Sequence, residues 1–388
     1  MADIFCERNS KSWFGRIGHS IKGIVFGLGF LAISVGLLCW NEGRAVTTAN
    51  SLKEAAAAVV SVPRAEVLPA NDQKLIHLSG EVTTEETLRD PVFGIEAIAL
   101  RLVRRVEMYQ WQEEKTTETR KKMGGSEETT TRYEYTRGWS EKLIRSSEFQ
   151  QPDGHLNPST MPVPATSFVT SKATLGAFQI PENLISKMPG DQPLRPTAAA
   201  LANVPDEWKD KVKLDGEIVY FGQDPAAPQV GDERVTFRML GPAVFSVLSR
   251  QAGRTLEPYL TKAGREIQRV ESGTVRADLM FVRAHRENTI LTWAARIGGF
   301  ILMFLGCSMI LKLLGVVADF VPFLGNMVGA GTGLISAVLS FAGSLIVIAL
   351  AWLAVRPLLG GALLLAAVGA VVWGVQRARQ RATPPSIR

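Results

Sequence analysis

Long apolar segments are distributed unevenly along the chain: one lies near the start and three lie within about the last hundred residues. The first, 23–40, contains no charged residue. At about 1.5 Å of rise per helical residue, this segment and its flanks can cross a hydrocarbon core of about 30 Å. Similar segments occupy 291–312, 334–355 and 358–375. The pattern predicts an integral membrane protein with four α-helical transmembrane spans.

The segment between the first two spans, 41–290, is mostly polar, and side chains alternate between apolar and polar in several places. Alternation at 98–112, a turn at 121–126 and a second alternating run at 129–139 predict a long β-hairpin with a charged tip. Further strands are predicted at 75–78, 217–221, 234–239 and 243–251, and short helices near 52–60 and 181–187. The segment therefore predicts a large β-rich domain of the α+β class.

Basic residues beside the spans predict their orientation. The segments 1–22 and 376–388 each hold four Lys or Arg residues. Short basic segments stay in the cytoplasm, so both are predicted to be basic cytoplasmic tails and the domain at 41–290 to be extracytoplasmic. The net charge of +6 is then a topology signal and not evidence for nucleic acid. Basic residues at 101–111 alternate with glutamates, which favours a solvated strand face over a nucleic-acid surface.

The segment 313–333 is apolar but contains Asp319, Pro322 and several glycines. Proline and glycine leave backbone groups without partners, which a lipid-facing helix does not tolerate well. The composition favours an interfacial or re-entrant segment between the spans at 291–312 and 334–355.

Three ionisable residues in the membrane block are candidate intramembrane polar residues: Arg296, Lys312 and Asp319. Such a residue is by default a hypothesis for a functional site. The alternative, which we favour for Asp319, is an interfacial carboxylate that caps a helix or pairs with Lys312. Glycines four residues apart are candidate helix-packing positions, namely Gly23, Gly27, Gly325, Gly329 and Gly333.

No catalytic or metal-binding motif is present in the chain. There is no Gly-x-Ser-x-Gly elbow, no phosphate-binding glycine loop, no His-Glu-x-x-His and no Cys-x-x-Cys. The four histidines have no metal-ligand spacing. His155 lies in a predicted loop, where a structural or solvent-exposed role is favoured over a catalytic one. We therefore expect no enzymatic activity and no cofactor.

Several sequence strings resemble the LUMA (transmembrane protein 43) family. They begin with Asn-Glu-Gly-Arg-Ala-Val after the first span and include Val-Glu-Met-Tyr-Gln-Trp and Gly-His-Leu-Asn-Pro-Ser in the domain. The string Val-Gly-Asp-Glu-Arg-Val follows, and the matches continue into the membrane block in the same order. The residues that carry the resemblance include Asn41, Glu42, Gly43, Arg44, Glu107, Tyr109, Trp111, Pro322, Arg356 and Pro357.

The resemblance implies four spans with a large domain between the first and the second. It also implies a protein that associates with itself and organises membrane protein complexes, without an established catalytic mechanism or site residues to carry over. Animal members of this family reside in the endoplasmic reticulum and inner nuclear membrane. The alanine-rich and arginine-rich apolar segments here are typical of bacteria, for which the inner (plasma) membrane is expected.

Two functions from different classes follow. The first is a non-enzymatic, self-associating scaffold whose partners are membrane lipid, copies of itself and unidentified membrane proteins. The second is a channel or transporter with a path near Asp319 between subunits, for which the few polar residues in the membrane block are a weakness. Tryptophans at the span ends are expected to anchor the protein in the interface, namely Trp13, Trp40, Trp293 and Trp352.

Overall fold

The computed structural model describes residues 3–62, 65–122, 126–202, 204–318 and 322–355. Five α-helices are present in these residues. They are α1 (Trp13–Ala58), α2 (Glu182–Ile185), α3 (Ala198–Ala202), α4 (Ala277–Ala318) and α5 (Pro322–Val355).

The strands number nineteen in the described residues. They are β1 (Asp3–Lys11), β2 (Val60–Ser61), β3 (Leu75–Thr83), β4 (Thr87–Arg89), β5 (Glu96–Ile98), β6 (Arg101–Lys121), β7 (Glu127–Ser140), β8 (Thr166–Val169), β9 (Ala173–Leu175), β10 (Phe178–Ile180), β11 (Gln192–Leu194), β12 (Val212–Asp215), β13 (Ile218–Phe221), β14 (Glu233–Leu240), β15 (Ala243–Ala252), β16 (Thr255–Glu257), β17 (Tyr259–Leu260), β18 (Glu266–Ile267) and β19 (Arg269–Ser272).

Most strands belong to two large sheets. The eight-stranded sheet has the order β1-β7-β6-β14-β13-β12, with β8 paired to β6 and β11 paired to β14. The seven-stranded sheet has the order β19-β15-β16-β10-β9-β3-β2, and β15 also pairs with β3. That additional pairing closes five of its strands into a ring. The pairs β4–β5 and β17–β18 form two small sheets.

Each large sheet buries its own apolar core. Inside the seven-stranded sheet the core includes Ile76, Phe178, Phe245 and Val247. The core of the eight-stranded sheet contains Phe93, whose ring meets that of Phe237 at 5.3 Å between centroids. Phe245 and Val247 lie on alternate positions of β15, as the period of a strand requires, whereas Phe93 lies in the turn before β5. The predicted β-rich domain is therefore present.

The chain divides into two compact units. The sheet unit comprises Met1–Arg8, Ser51–Glu118 and Thr130–Arg283. The helical unit comprises Asn9–Asn50, Thr119–Thr129 and the described residues from Ala284 onward. Helices α1 and α4 and strands β1, β6 and β7 contribute residues to both units.

Three helices in the described residues are long and apolar enough to cross a membrane. They extend well beyond the spans predicted at 23–40, 291–312 and 334–355, because an apolar window detects only the lipid-crossing part of a helix. Polar residues after the first span continue α1 to Ala58, where Lys, Glu and four alanines are strong helix formers. The fourth predicted span, 358–375, and the tail 376–388 lie outside the described residues.

The segment 313–333, predicted to be interfacial or re-entrant, is helical in all of its described residues. Its first part completes α4, which ends at Ala318, and its second part begins α5 at Pro322. Proline is compatible with the first position of a helix, where its missing N–H has no helical partner in any case. The sequence criterion treated Pro322 as a helix breaker, whereas it is a helix start.

The N-terminal segment 1–22 is not a separate tail. Residues Asp3–Lys11 form β1, which pairs with β7 at the edge of the eight-stranded sheet, and α1 begins at Trp13. The charge rule takes no account of strand pairing and therefore did not predict β1. The cytoplasmic placement of this segment and the extracytoplasmic placement of the domain remain predictions.

Candidate functional site

Helices α1, α4 and α5 meet at a buried cluster of polar side chains. The carboxylate of Glu42 accepts hydrogen bonds from Arg296 Nε at 2.7 Å and from Arg296 Nη2 at 2.9 Å. Trp352 Nε1 donates a third hydrogen bond to Glu42 Oε2 at 2.6 Å. We call these three residues the Glu42 cluster. Each of the three helices contributes one residue to it.

The arrangement of the helices explains why these residues meet. Helix α1 runs antiparallel to α4, as Ser34 Oγ donates to Gly299 O at 2.7 Å and Asn41 Nδ2 donates to Thr292 O at 3.1 Å. Glu42 follows the apolar segment 23–40 of α1, and Arg296 directly precedes the uncharged residues 297–311 of α4. The antiparallel packing therefore brings both to the same end of the apolar segments.

A second layer of polar contacts surrounds the Glu42 cluster. Arg44 donates to Asn288 Oδ1 at 3.0 Å, to Thr292 Oγ1 at 3.0 Å and to Asn41 Oδ1 at 3.1 Å. Asn288 Nδ2 donates to the carbonyl of Ala45 at 3.0 Å. These bonds connect one turn of α1 to two turns of α4, so the two helices are fixed in rotation as well as in distance.

The Glu42 cluster is shielded from solvent. The side chain of Glu42 is 2% exposed and that of Arg296 is 17% exposed. The Arg296 guanidinium lies 4.9 Å from the Trp293 ring centroid and 5.8 Å from that of Trp352. Burying an ion pair is costly unless hydrogen bonds satisfy its atoms, and here both carboxylate oxygens are hydrogen-bonded. The arrangement is suited to holding three helices together.

Two of the three polar residues predicted in the membrane block, Arg296 and Lys312, lie far apart in the described part of α4. Lys312 lies 16 residues beyond Arg296 in α4, which is about 24 Å along the helix axis. Asp319, Arg356 and Pro357 lie outside the described residues. Of the three candidates for an intramembrane polar site, only Arg296 has its partner in the described structure.

Comparisons with known proteins identify the same family that the sequence strings resemble. Residues 108–357 match the family model of Transmembrane protein 43. The chain is 33% identical over 376 residues to Transmembrane protein 43 of Homo sapiens, covering 94% of this chain and 92% of that protein. The chain belongs to the Transmembrane protein 43 family.

Other relatives support this assignment. The Rattus norvegicus member of the Transmembrane protein 43 family is 33% identical over 355 residues, or 88% of this chain and 87% of the relative. The Drosophila melanogaster homolog is 32% identical over 345 residues, or 87% and 89%. No solved structure matches the chain significantly. The resemblance to this family, and with it an integral membrane protein that has several apolar helices and a β-rich domain, is confirmed.

Residues of the family string Val-Glu-Met-Tyr-Gln-Trp make side-chain contacts within the sheet unit. Glu107 accepts from Arg234 Nε at 2.6 Å, and Arg234 lies over the ring of Trp139 at 4.6 Å. Tyr109 contacts the same Trp139 ring at 5.2 Å between centroids. These contacts join β6, β7 and β14, so in this member of the Transmembrane protein 43 family the string stabilises the eight-stranded sheet.

His155 is buried in a second aromatic group. Its ring stacks on Tyr135 at 3.9 Å and meets the edge of Trp111 at 4.8 Å between centroids. Burial, together with a hydrogen bond to Glu113, raises the pKa of the Tyr135 hydroxyl to about 12. Asn157 accepts from Trp111 N and donates to Trp111 O, which fixes the loop to β6. These contacts give His155 a structural role.

No three His, Cys, Asp or Glu side chains are grouped for a metal in the described part of the chain.

The candidate packing glycines differ in their surroundings. A Cβ on Gly27 would lie 2.8 Å from Gly306 O and 2.9 Å from Ile310 Cγ1, so α1 and α4 approach closely there. Gly23 has only Met309 O nearby, at 3.8 Å, and no described atom lies near Gly333. Gly325 and Gly329 lie within α5 (Pro322–Val355), and their surroundings are outside the described residues.

Sequence reasoning did not find the partner of Arg296. The sequence identifies Glu42 only as part of a family string, and Trp352 as part of a family string and as an interfacial anchor. A signal was available, since an acidic residue directly after an uncharged apolar segment needs a partner. Asn288 and Thr292 carried no such signal, because polar residues at a helix end are common.

Glu233 is the buried carboxyl of the sheet unit with an unusual pKa. It is almost fully buried, and its Oε2 accepts from Val163 N at 3.2 Å. Oε1 has no hydrogen-bond partner among the described residues. Burial raises the pKa of Glu233 to about 7 from an ordinary value near 4.5. The folded chain therefore keeps a proton that the unfolded chain releases between about pH 4.5 and 7.

The raised pKa of Glu233 predicts that the folded protein loses stability as pH rises. Because the folded pKa lies above the unfolded one, the contribution is complete below about pH 4.5 and is lost through about pH 7. We expect the free energy of unfolding to fall by about 3 kcal/mol over that range, and Glu233→Gln to remove this part of the profile. Thermal unfolding of both proteins from pH 4.5 to 8 measures it. The exposed Glu85→Gln is the control, and an unchanged slope in Glu233→Gln would contradict the assignment.

Proposed function

We propose that this member of the Transmembrane protein 43 family is a non-enzymatic membrane scaffold that associates with copies of itself. Its partners are then membrane lipid and other membrane proteins. The proposal includes a fourth span at 358–375 and, for a bacterial source, the inner membrane. One observation carries it: an outward face of α1 is formed by small residues.

Gly29, Ala32 and Gly36 form this open glycine face. They lie three and four residues apart and therefore on one side of α1, and all three are exposed. A Cβ on Gly29 or Gly36 would meet no described atom within 4 Å. In lipid, helices associate through small residues that allow close approach. The close intrachain contact of α1 is made instead by Gly27, so the open glycine face is available to a second copy.

The polar contacts of the helical unit support a scaffold more than a channel. The Glu42 cluster satisfies its charges within one chain, and the large side chains of α1 that face outward are apolar, such as Val25, Phe26 and Ile33. A conducting path needs polar groups that line a continuous cavity. We therefore keep the scaffold as the proposed function.

The open glycine face predicts the outcome of a leucine substitution. In Gly36→Leu the new side chain enters open space, so we expect the melting temperature of the single chain to be unchanged or slightly raised. Self-association should weaken at least tenfold, because about 1.4 kcal/mol of helix contact corresponds to that factor. Energy transfer between labelled copies in liposomes is measured over a range of protein-to-lipid ratios. It gives the association constants of the unmodified protein and of Gly36→Leu.

Val35→Leu is the matched control, because Val35 is also exposed on α1 but lies about 100° around the helix from Gly36, outside the open glycine face. It should associate like the unmodified protein. An unmodified protein that is monomeric at every ratio, or a Gly36→Leu protein that associates normally, would contradict the proposal.

A further inference from the structure

A second group of charged side chains lies at the other end of the helical unit. A cavity of about 260 Å³ is lined by the start of α1, the end of α4 and the tip of the β6–β7 hairpin. Its charged lining residues are Lys11, Arg16, Lys312 and Glu127, and His19 also lines it. We call this cavity the basic pocket. It is separate from the Glu42 cluster and shares no residue with it.

The basic pocket carries an excess of positive charge. Three cations and one carboxylate line it, which leaves a formal excess of two with His19 neutral. The single carboxylate is engaged, since Glu127 Oε2 lies 2.8 Å from Arg16 Nε. The side chain of Arg16 is almost fully buried, whereas Lys11 and Lys312 are exposed. The pocket thus combines one cation fixed by the fold with two lysines that can move towards a ligand.

The position of the basic pocket along the helices indicates which ligand it binds. Gly23 and Met309 form part of its wall. Gly23 is the first residue of the apolar segment 23–40 of α1, and Lys312 is the last residue of the segment 291–312 of α4. The pocket therefore lies where the apolar segments end, which is the level of lipid headgroups. Basic pockets between transmembrane helices at this level bind phosphate groups of anionic lipids.

We propose that the basic pocket binds the phosphate group of an anionic phospholipid. Arg16 and the two lysines surround the phosphodiester, and the acyl chains extend along the apolar surfaces of α1 and α4. A lipid whose headgroup carries a net negative charge is favoured. Phosphatidylcholine is disfavoured, because its quaternary ammonium group brings positive charge close to a pocket that already has an excess. This site does not depend on the proposed self-association.

Lipid binding to the purified full-length protein tests the proposal. Native mass spectrometry from detergent, with phosphatidylglycerol and phosphatidylcholine of identical acyl chains, measures the affinity for each. We expect one phosphatidylglycerol to be retained in preference to phosphatidylcholine. In the double variant Lys11→Gln/Lys312→Gln the affinity for phosphatidylglycerol should fall about thirtyfold, since each lysine near an anionic headgroup contributes about 1 kcal/mol. Arg16 is left unchanged, because its buried contact with Glu127 contributes to the fold.

Lys22→Gln is the matched control, since Lys22 is an exposed cation one to two turns from Arg16 in α1 but does not line the basic pocket. Its affinity should stay within about twofold of the unmodified protein. An equal loss in Lys22→Gln would show general charge attraction and overturn the site. Equal binding of the two lipids, or displacement of the lipid by millimolar glycerol phosphate, would also overturn it, the latter by assigning the pocket to a soluble phosphate. Self-association in liposomes, measured separately, fails or succeeds independently of these outcomes.

Discussion

Replacing Glu42 with glutamine is expected to lower the free energy of unfolding by about 3–5 kcal/mol, the loss found when one partner of a buried ion pair is removed. The reason is the Arg296 guanidinium, which would keep its buried position without a counter-charge. For a protein of this size the melting temperature should fall by roughly 5 °C. Thermal unfolding of the full-length protein in detergent, followed by tryptophan fluorescence, measures the change close to Trp293 and Trp352.

A double variant separates the ion pair from simple damage to the helices. In Glu42→Gln/Arg296→Leu no charge remains buried, so we expect most of the lost stability to return. Arg276→Ala is the control, because its ion pair with Asp278 is exposed on both sides and should contribute less than about 1 kcal/mol. A change of less than about 1 kcal/mol in Glu42→Gln would contradict the role of the Glu42 cluster.

The helices and the long hairpin were predictable because their signals are local. An uncharged apolar segment such as 23–40 has few alternatives to a membrane helix, whatever the rest of the chain does. Alternating side chains at 98–112 and 129–139, joined by a short glycine-containing turn, likewise predict β6 and β7. Both patterns underestimate the length of the elements, since polar residues can extend a helix or a strand without changing the apolar signal.

The Glu42 cluster was not predictable in the same way, because its residues are distant in sequence. Glu42 and Arg296 are separated by 254 positions and Glu42 and Trp352 by 310. A local pattern identifies each residue as unusual but gives no information on its partner. Similarly, β1 is an exposed strand, and only its pairing with β7 distinguishes it from a basic tail.

Arg104 shows the same limit inside the sheet unit. The sequence favours a solvated strand face for the basic residues at 101–111. In the structure Arg104 lies on the side of β6 that also carries the buried Leu102 and Val106. A buried arginine requires a buried acceptor, and the residue that provides it, Asp90, lies in a separate turn before β5. The alternation along β6 was correct, but the inward arginine was not assigned.

Replacing Asp90 with alanine is expected to be the most damaging single change in the sheet unit, at about 4 kcal/mol of unfolding free energy. Both Asp90 oxygens accept from Arg104 Nη1 at 2.8 Å, with side chains that are 0% and 4% exposed. Asp90 Oδ1 also accepts from the backbone N–H groups of Val92 and Phe93, which fixes the turn before β5. The variant loses the counter-charge and the turn together. Urea unfolding of the full-length protein, monitored by circular dichroism of the sheets, measures the loss.

Two variants test whether the charge or the turn matters more. Asp90→Asn keeps an oxygen that can accept from Val92 and Phe93, so it should retain the turn but leave Arg104 without a counter-charge. We expect it to recover only about 1 kcal/mol relative to Asp90→Ala, since hydrogen bonds of this kind contribute about that much. Arg89→Ala, next to Asp90 in the chain but paired with Glu96 at the surface at 3.5 Å, should cost less than about 1 kcal/mol. If Asp90→Asn were as stable as the unmodified protein, the buried charge would have no part in holding β6 against the core, and the position of Arg104 would follow from the turn alone.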